Sequence, residues 1–250
     1  MADLFVAEHD GPSGAPRVVL VHGSLDRSTA FLRVARELSD LRVIRYDRRG
    51  YGKSLAAGAA ASFDVQIDDL ASVVGDEPAI AVGHSLGGVI ALAFASRHPE
   101  RAIAVVAYEA PMPWLSSWPS NTAGGRALAR TEDDGDAAER FMRRIVGDDR
   151  WEGLPPRTKA QRRAEGPALV AELRSLRPPH PAPYEAANIE APVIAAHGGA
   201  SRPHHQEAAR RLAADAADGR LVVIPEASHG AHLSHPEEFA QLVRQAAALA

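Results

Sequence analysis

Short apolar runs alternate with segments of helical pattern along most of the chain, and this alternation limits the folds that it can adopt. Six of the runs are predicted to be strands, at residues 17–23, 41–47, 78–84, 101–109, 191–198 and 220–226. Helical segments follow them, as at residues 27–38, 62–74 and 86–98. Because continuously apolar strands need cover on both faces, the pattern predicts an α/β fold with a mostly parallel sheet flanked by helices.

One long segment, residues 111–189, interrupts the alternation. It has no clear strand pattern, contains charged helical pieces such as residues 136–146, and ends in the proline-rich run 177–183. Long insertions in compact domains are usually functional. We interpret the segment as a helical lid inserted into one core domain, which residues 1–110 and 190–250 form. The alternative is a surface excursion without a role in function.

Composition argues against several classes of partner. The net charge of −4 gives no reason to expect a nucleic acid or an anionic membrane. The absence of cysteine excludes disulfides and thiolate chemistry. The first residues lack the pattern of a secretory signal, and no run approaches the roughly 18 apolar residues of a membrane span. We therefore expect a cytoplasmic protein that acts on a small molecule, and its oligomeric state stays open.

The run AVGHSLGGVI, residues 81–90, lies between a predicted strand and a predicted helix. It contains the pattern G-x-S-x-G, with Ser85 at the centre. This pattern is typical of a sharp strand-to-helix turn that lifts a serine hydroxyl above the sheet, where flanking glycines leave room for a strained backbone. The start of the following helix also favours developing negative charge. Ser85 is therefore predicted to be a nucleophile; the alternative is a tight turn without catalytic use.

Three further motifs, together with this turn, resemble the α/β-hydrolase family. They are LVHGSLDRS at residues 20–28, RYDRRGYGKS at residues 45–54 and ASHGAHLSHPEEF at residues 227–239. The resemblance covers about residues 17–110 and 190–248 and leaves the lid out. It implies an α/β-hydrolase fold in which the lid follows the strand after the nucleophile helix. It also implies that His229 is the catalytic histidine and that the backbone N–H groups of Ser24 and Leu86 form an oxyanion hole.

The carboxylate of such a triad is missing from its usual place, where this sequence has Ser201. An acid is needed to orient the histidine and to stabilise its imidazolium form. Some members of the family, among them a group of haloalkane dehalogenases, place the acid after the preceding strand, which here ends at Glu109. Its apolar surroundings predict a buried carboxylate, and buried charges are kept when they have a partner. Glu109 is our predicted acid; a dyad without an acid, or the carboxylates Glu190, Glu226 and Asp215, are alternatives.

Two other patterns receive no role. The run GYGKS is similar to a phosphate-binding loop, but Asp47 stands where that motif needs its first glycine. Two histidine groups could suggest a metal site: His229, His232 and His235, and the pair His204 and His205. The first group would spread around a helix and precedes the expected helix start near Pro236, so His232 and His235 are predicted to be loop residues. We expect no metal and no cofactor.

A serine at the turn argues against the dehalogenase and epoxide hydrolase reactions of this family, in which an aspartate attacks. The resemblance implies a serine hydrolase that cleaves a carboxylic ester, lactone or thioester of a small apolar substrate through an acyl-enzyme. C–C bond hydrolysis and acyl transfer would use the same residues, and a non-catalytic small-molecule receptor is the alternative from another class. The lid is expected to line an apolar pocket through Trp114, Trp118, Phe141, Met142 and Trp151.

Overall fold

A single sheet organises the protein, whose computed structural model describes residues 3–129 and 133–250. Within these residues seven strands pair in the order β1-β3-β2-β4-β5-β6-β7. Their bounds are Val6–His9 (β1), Arg17–Val21 (β2), Arg42–Tyr46 (β3), Ala79–His84 (β4), Ala102–Tyr108 (β5), Val193–Gly198 (β6) and Gly219–Ile224 (β7). The six predicted strands are all present. The strand β1 was not predicted, because it has only four residues and none of them is buried; it pairs antiparallel with β3, and the other pairs are parallel.

Helices cover both faces of the sheet. The α-helices are Leu32–Glu37 (α1), Phe63–Val74 (α2), Leu86–Arg97 (α3), Ala123–Ala129 (α4), Asp134–Val146 (α5), Asp148–Glu152 (α6), Pro156–Ala164 (α7), Gly166–Ser175 (α8), Pro203–Asp215 (α9), Ala231–Ser234 (α10) and Pro236–Ala247 (α11). One apolar cluster joins α2, α3 and α9 to the sheet, and a second joins α1 and α11 to it. The predicted cover on both faces is confirmed, except at the edge strand β7, where Leu221 and Val223 are 42% and 43% exposed.

Helices α4 to α8 lie between β5 and β6, in the segment interpreted as a lid. Two carboxylates of this segment are buried against arginines from the preceding part of the chain. Glu172 on α8 accepts from Arg48 at 2.8 Å, and Glu165 accepts from Arg27 at 2.7 Å. These ion pairs connect the inserted helices with the part of the chain that forms the first strands of the sheet. Among the helices of the described residues, none combines the length and the apolar character that a membrane span requires.

The order of the strands determines where functional side chains can meet. The strands β4, β5 and β6 are neighbours and parallel, so their carboxyl ends lie at one edge of the sheet. Ser85 follows β4, Glu109 follows β5, and the loop with Ser201 follows β6. Ligand sites of open parallel sheets form at such an edge.

Candidate active site

The backbone at Ser85 is strained in a way that explains the glycines around it. Ser85 has a backbone φ angle of 54°, a value that residues other than glycine rarely adopt. A Cβ atom at Gly83 would lie 2.2 Å from the carbonyl oxygen of Gly87, and one at Gly87 would lie 2.1 Å from the carbonyl oxygen of Val21. Only glycine fits at both positions. The two glycines therefore allow α3 to lie directly against the ends of β4 and β2.

Glu109 and His229 are in direct contact. The Nδ1 atom of His229 lies 2.7 Å from Oε2 of Glu109, and the Glu109 side chain is fully buried. The other carboxylate oxygen accepts from the backbone N–H of Gly198 at 3.0 Å and from the hydroxyl of Ser201. Ser201 therefore donates to the carboxylate instead of replacing it. The buried acid has a partner for each oxygen, as a charge in this position requires.

The surroundings of Glu109 favour its charged form. Burial alone would raise the pKa of its carboxyl. The hydrogen bond and charge of His229, with His205 and the N–H of Gly198, outweigh burial and bring the pKa of Glu109 to about 2. Glu109 is thus ionised at every pH at which the protein is expected to work.

This depressed pKa predicts a pH-dependent contribution to stability. With a folded pKa of about 2 and an ordinary value of 4.5, the contribution is present above pH 4.5 and is lost as the pH falls towards 2. Its size is on the order of 3 kcal/mol. We expect the difference in the free energy of unfolding between wild type and Glu109→Gln to shrink over this range, measured by urea denaturation. A difference that does not change with pH would contradict the assignment.

The loop that carries His229 is held by two further hydrogen bonds. Nε2 of His84 donates to the backbone carbonyl of His229 at 2.7 Å, and the hydroxyl of Tyr108 donates to the carbonyl of Ser228 at 2.9 Å. Burial, assisted by the nearby His232 and His229, keeps the pKa of His84 well below its ordinary value. His84 is therefore a neutral donor that fixes the loop from the residue next to Ser85.

The alternative carboxylates do not contact His229. Glu190, Glu226 and Asp215 are all exposed. Asp215 pairs with Arg211, and within the described residues none of the three has a hydrogen bond to His229. Of the acids considered, Glu109 is the one that the structure places beside the histidine.

The loop with Ser24 lies beside the nucleophile. Ser24, Leu86, Ser85 and His229 line one cavity. The N–H of Leu86 belongs to the first turn of α3, where no carbonyl of the helix can accept from it. In the described part of the chain, no hydrogen bond is formed by the N–H of Ser24. Two unpaired N–H groups beside a serine hydroxyl are suited to stabilise an oxyanion.

A buried arginine fixes this loop. Arg48 donates from Nε to the carbonyl of His22 at 2.9 Å and from Nη2 to the carbonyl of Gly23 at 3.0 Å. Its backbone N–H donates to Nε2 of His22, whose Nδ1 contacts the carbonyl of Gly23 at 2.8 Å. Burial, together with the charge of Arg48, lowers the pKa of His22 to about 3, so this ring is neutral.

Of the five lid side chains predicted to line a pocket, two do so and three do not. Trp118 and Phe141 line the cavity. The structure places the other three against protein: Trp151 is fully buried, Trp114 stands edge-on to Tyr184 with the ring centres 5.6 Å apart, and Met142 packs against an apolar cluster that includes residues of α4, α5 and α8. The cavity also contains side chains that were not predicted: Arg144, Arg177, Arg202, His204 and His205.

His232 also differs from expectation. It lies in α10 and is buried, with Nε2 3.1 Å from Oδ2 of Asp26, so it is not a loop residue. His235 ends this helix, and α11 begins at Pro236 as predicted.

Two described groups bring three possible metal ligands within 4.8 Å of one another: Asp26, His84 and His232, and Glu109, His205 and His229. The Nε2 atoms of His84 and His232 and the Nδ1 atom of His229 are engaged in the hydrogen bonds described above.

Comparison with known sequences assigns the chain to a family. Residues 18–242 match the model of the alpha/beta hydrolase family. The chain is 28% identical to a pimeloyl-[acyl-carrier protein] methyl ester esterase of Chromobacterium violaceum, over 92% of this chain and 93% of that protein. Lipase LipV of Mycobacterium tuberculosis is 35% identical over 107 residues, which span 42% of this chain and only 40% of the lipase.

Solved structures agree with this assignment. The enol-lactonase from Burkholderia xenovorans LB400 superposes with a TM-score of 0.74 at 26% identity, over 97% of this chain and 95% of that one. A thermophilic esterase from Thermogutta terrifontis, solved with malate bound, gives 0.73 at 25% identity, over 97% and 92% of the two chains. With its strained serine turn, its sheet order and a family match over most of its length, this chain belongs to the alpha/beta hydrolase family and is an enzyme of that hydrolase class.

Proposed function

We propose that the protein is a serine hydrolase that cleaves a carboxylic ester, lactone or thioester of a small substrate through an acyl-enzyme on Ser85. One observation carries this proposal. Ser85 and His229 line the same cavity, and His229 is bound through Nδ1 to the buried carboxylate of Glu109. The relatives named as a methyl ester esterase and an enol-lactonase support the type of bond that is cleaved.

The proposed reaction uses only groups of this chain. The Ser85 hydroxyl oxygen attacks the carbonyl carbon and transfers its proton to Nε2 of His229, while the Glu109 carboxylate stabilises the resulting imidazolium. The N–H groups of Ser24 and Leu86 bind the tetrahedral oxyanion. His229 returns the proton to the leaving alkoxide or thiolate, which leaves an acyl group on Ser85. Water, deprotonated by His229, attacks this acyl group, and the tetrahedral intermediate releases the acid as the Ser85 oxygen takes the proton back from His229.

The inserted helices have the proposed role of a lid that determines specificity. Trp118 and Phe141 would contact the apolar part of the substrate, since both line the cavity that contains Ser85. Apolar and aromatic walls with a few polar groups are usual in small-molecule sites.

Labelling with a fluorophosphonate probe tests the nucleophile, because the probe phosphonylates an activated serine. We expect one equivalent of probe on Ser85, located by peptide mass spectrometry, and none on the Ser85→Ala variant. Thr122→Val is the matched control, since it removes a hydroxyl from the same cavity at a residue that has no part in the proposed reaction. It is expected to be labelled like wild type. A folded wild type that neither reacts with the probe nor hydrolyses short-chain 4-nitrophenyl esters would favour a receptor over an enzyme.

A further inference from the structure

Three arginines from different parts of the fold line the cavity around Ser85. Arg144 lies on α5, Arg177 follows α8, and Arg202 precedes α9. The remaining wall of this part is largely apolar and includes Ile145, Leu173 and Leu176. No aspartate or glutamate is found among the described residues that line the cavity. The wall therefore combines an apolar surface with several positive charges and no compensating carboxylate.

These arginines lack the acidic partners that Arg143, a neighbour of Arg144 on α5, has. Within residues 3–129 and 133–250, none of the three forms an ion pair, and the Nε atoms of Arg144 and Arg177 are buried without a hydrogen-bond partner. Arg143, the preceding residue on α5, does not line the cavity and pairs with Glu139, Asp148 and Glu152. Arg144 and Arg177 are thus set apart by buried donors without a partner, whereas Arg157, an arginine of the same helices that also has no ion pair among the described residues, is exposed.

Burial and, for Arg144, neighbouring positive charge disfavour the charged forms of two of these arginines. Burial, together with the charges of Arg202 and Arg126, lowers the pKa of Arg144, and burial lowers the pKa of Arg177. An arginine stays protonated in spite of such shifts. Like charges that are partly desolvated and held together gain free energy when an anion binds between them.

We infer that the enzyme selects esters that carry a free carboxylate at the end of their acyl chain, that is, monoesters of dicarboxylic acids. The planar guanidinium group of a single arginine, such as Arg144 or Arg177, matches a carboxylate in a two-point hydrogen bond, and the apolar wall fits the methylene chain between the two ends. Arg202, which is exposed, adds positive charge at the opening. This inference rests on the proposed function, because it takes Ser85 as the position of the scissile carbonyl.

Two substrates that differ only in one charged group measure the effect of the terminal carboxylate on the rate of hydrolysis. Mono-4-nitrophenyl adipate and 4-nitrophenyl hexanoate have the same chain length and leaving group, and they differ in the terminal carboxylate. We expect wild type to hydrolyse the charged ester with a kcat/KM at least about tenfold higher, since hydrogen bonds to charged groups are strong ones. The preference should fall with increasing salt concentration.

Substitutions of the arginines test whether they cause the preference for the charged ester. Arg144→Gln and Arg177→Gln should each lower kcat/KM for the charged ester about 10- to 100-fold and leave the neutral ester within about threefold. Arg157→Gln is the matched control, because Arg157 is an exposed arginine of the same helices outside the cavity and has no ion pair among the described residues. It should change neither value. Circular dichroism checks that each variant is folded.

A binding measurement separates this inference from the proposed function. The Ser85→Ala protein should bind monomethyl adipate more tightly than methyl hexanoate in calorimetry, and Arg144→Gln in that background should abolish the difference. Equal rates and equal affinities for the charged and neutral ligands would overturn the inference while leaving the ester hydrolase intact. A preference in binding, with no hydrolysis and no labelling of Ser85, would support the anion site and overturn the proposed function.

Discussion

Replacing Glu109 with glutamine is expected to lower kcat for 4-nitrophenyl ester hydrolysis by about 10⁴-fold. Glutamine keeps the size of the side chain and removes its charge. The remaining amide oxygen is needed to accept from the N–H of Gly198 and the hydroxyl of Ser201, so the N–H₂ group faces Nδ1 of His229 and cannot accept from it. The ring then loses both its orientation and the partner of its imidazolium form. KM should change little, because the carboxylate does not line the cavity. Initial rates at saturating ester, with circular dichroism as a check of folding, measure the effect.

Two comparisons make this prediction sharp. Glu226→Gln removes a charge from an exposed carboxylate three residues before His229, and it should leave kcat within about twofold of wild type. Glu109→Ala combined with Ser201→Asp moves the acid to the neighbouring strand, since the Ser201 hydroxyl already contacts the Glu109 carboxylate. This double variant should recover at least about tenfold over Glu109→Ala alone. A folded Glu109→Gln protein within a few-fold of wild type would show that the acid lies elsewhere.

The contact between Glu109 and His229 illustrates what sequence reasoning could reach. The strand-turn-helix context identified Ser85, and the parallel order of the strands brought the ends of β4 and β5 to one edge. The position of Glu109 after an apolar strand predicted its burial, which the structure confirms. The detail that Ser201 donates to the carboxylate could not be predicted, because a serine at that place is equally consistent with a dyad that has no acid.

The contacts of the charged side chains in the inserted helices could not be predicted from the sequence. In the sequence, Glu165 and Glu172 resemble solvated helix residues, as do Arg144 and Arg177. Their partners, or the lack of partners, depend on contacts with distant parts of the chain: Arg48 and Glu172 are 124 residues apart. Large apolar residues misled in the opposite direction, because Trp151 is buried and Met142 packs against the apolar cluster that includes residues of α4, α5 and α8. The large apolar residues of the lid segment indicated a pocket, but the sequence did not show which of them line it.

Replacing Glu172 with leucine is expected to lower the free energy of unfolding by about 3–5 kcal/mol. Both side chains of the Arg48–Glu172 pair are 1% exposed, so the variant leaves a guanidinium buried without a negative charge. Burial alone would lower the pKa of Arg48, and it is the charge of Glu172 that reverses this and raises the pKa. The hydroxyl of Tyr51, which donates to Glu172 at 2.7 Å, also loses its acceptor. Urea denaturation measures the loss.

We expect the loss in the free energy of unfolding to come mainly from the guanidinium that is left buried without a negative charge, and not only from the lost hydrogen bonds. Adding Arg48→Met to Glu172→Leu removes that charge, so the double variant should be more stable than the sum of the two single losses predicts, by about 2–3 kcal/mol. Glu152→Gln is the control, since its carboxylate pairs with Arg143 but is 60% exposed, and it should cost at most about 1 kcal/mol. If Glu172→Leu costs no more than this control, the pair does not hold the inserted helices on the sheet. Arg48 also donates to the carbonyls of His22 and Gly23, in the loop that carries Ser24. The double variant lacks these hydrogen bonds, so it should regain stability without regaining kcat.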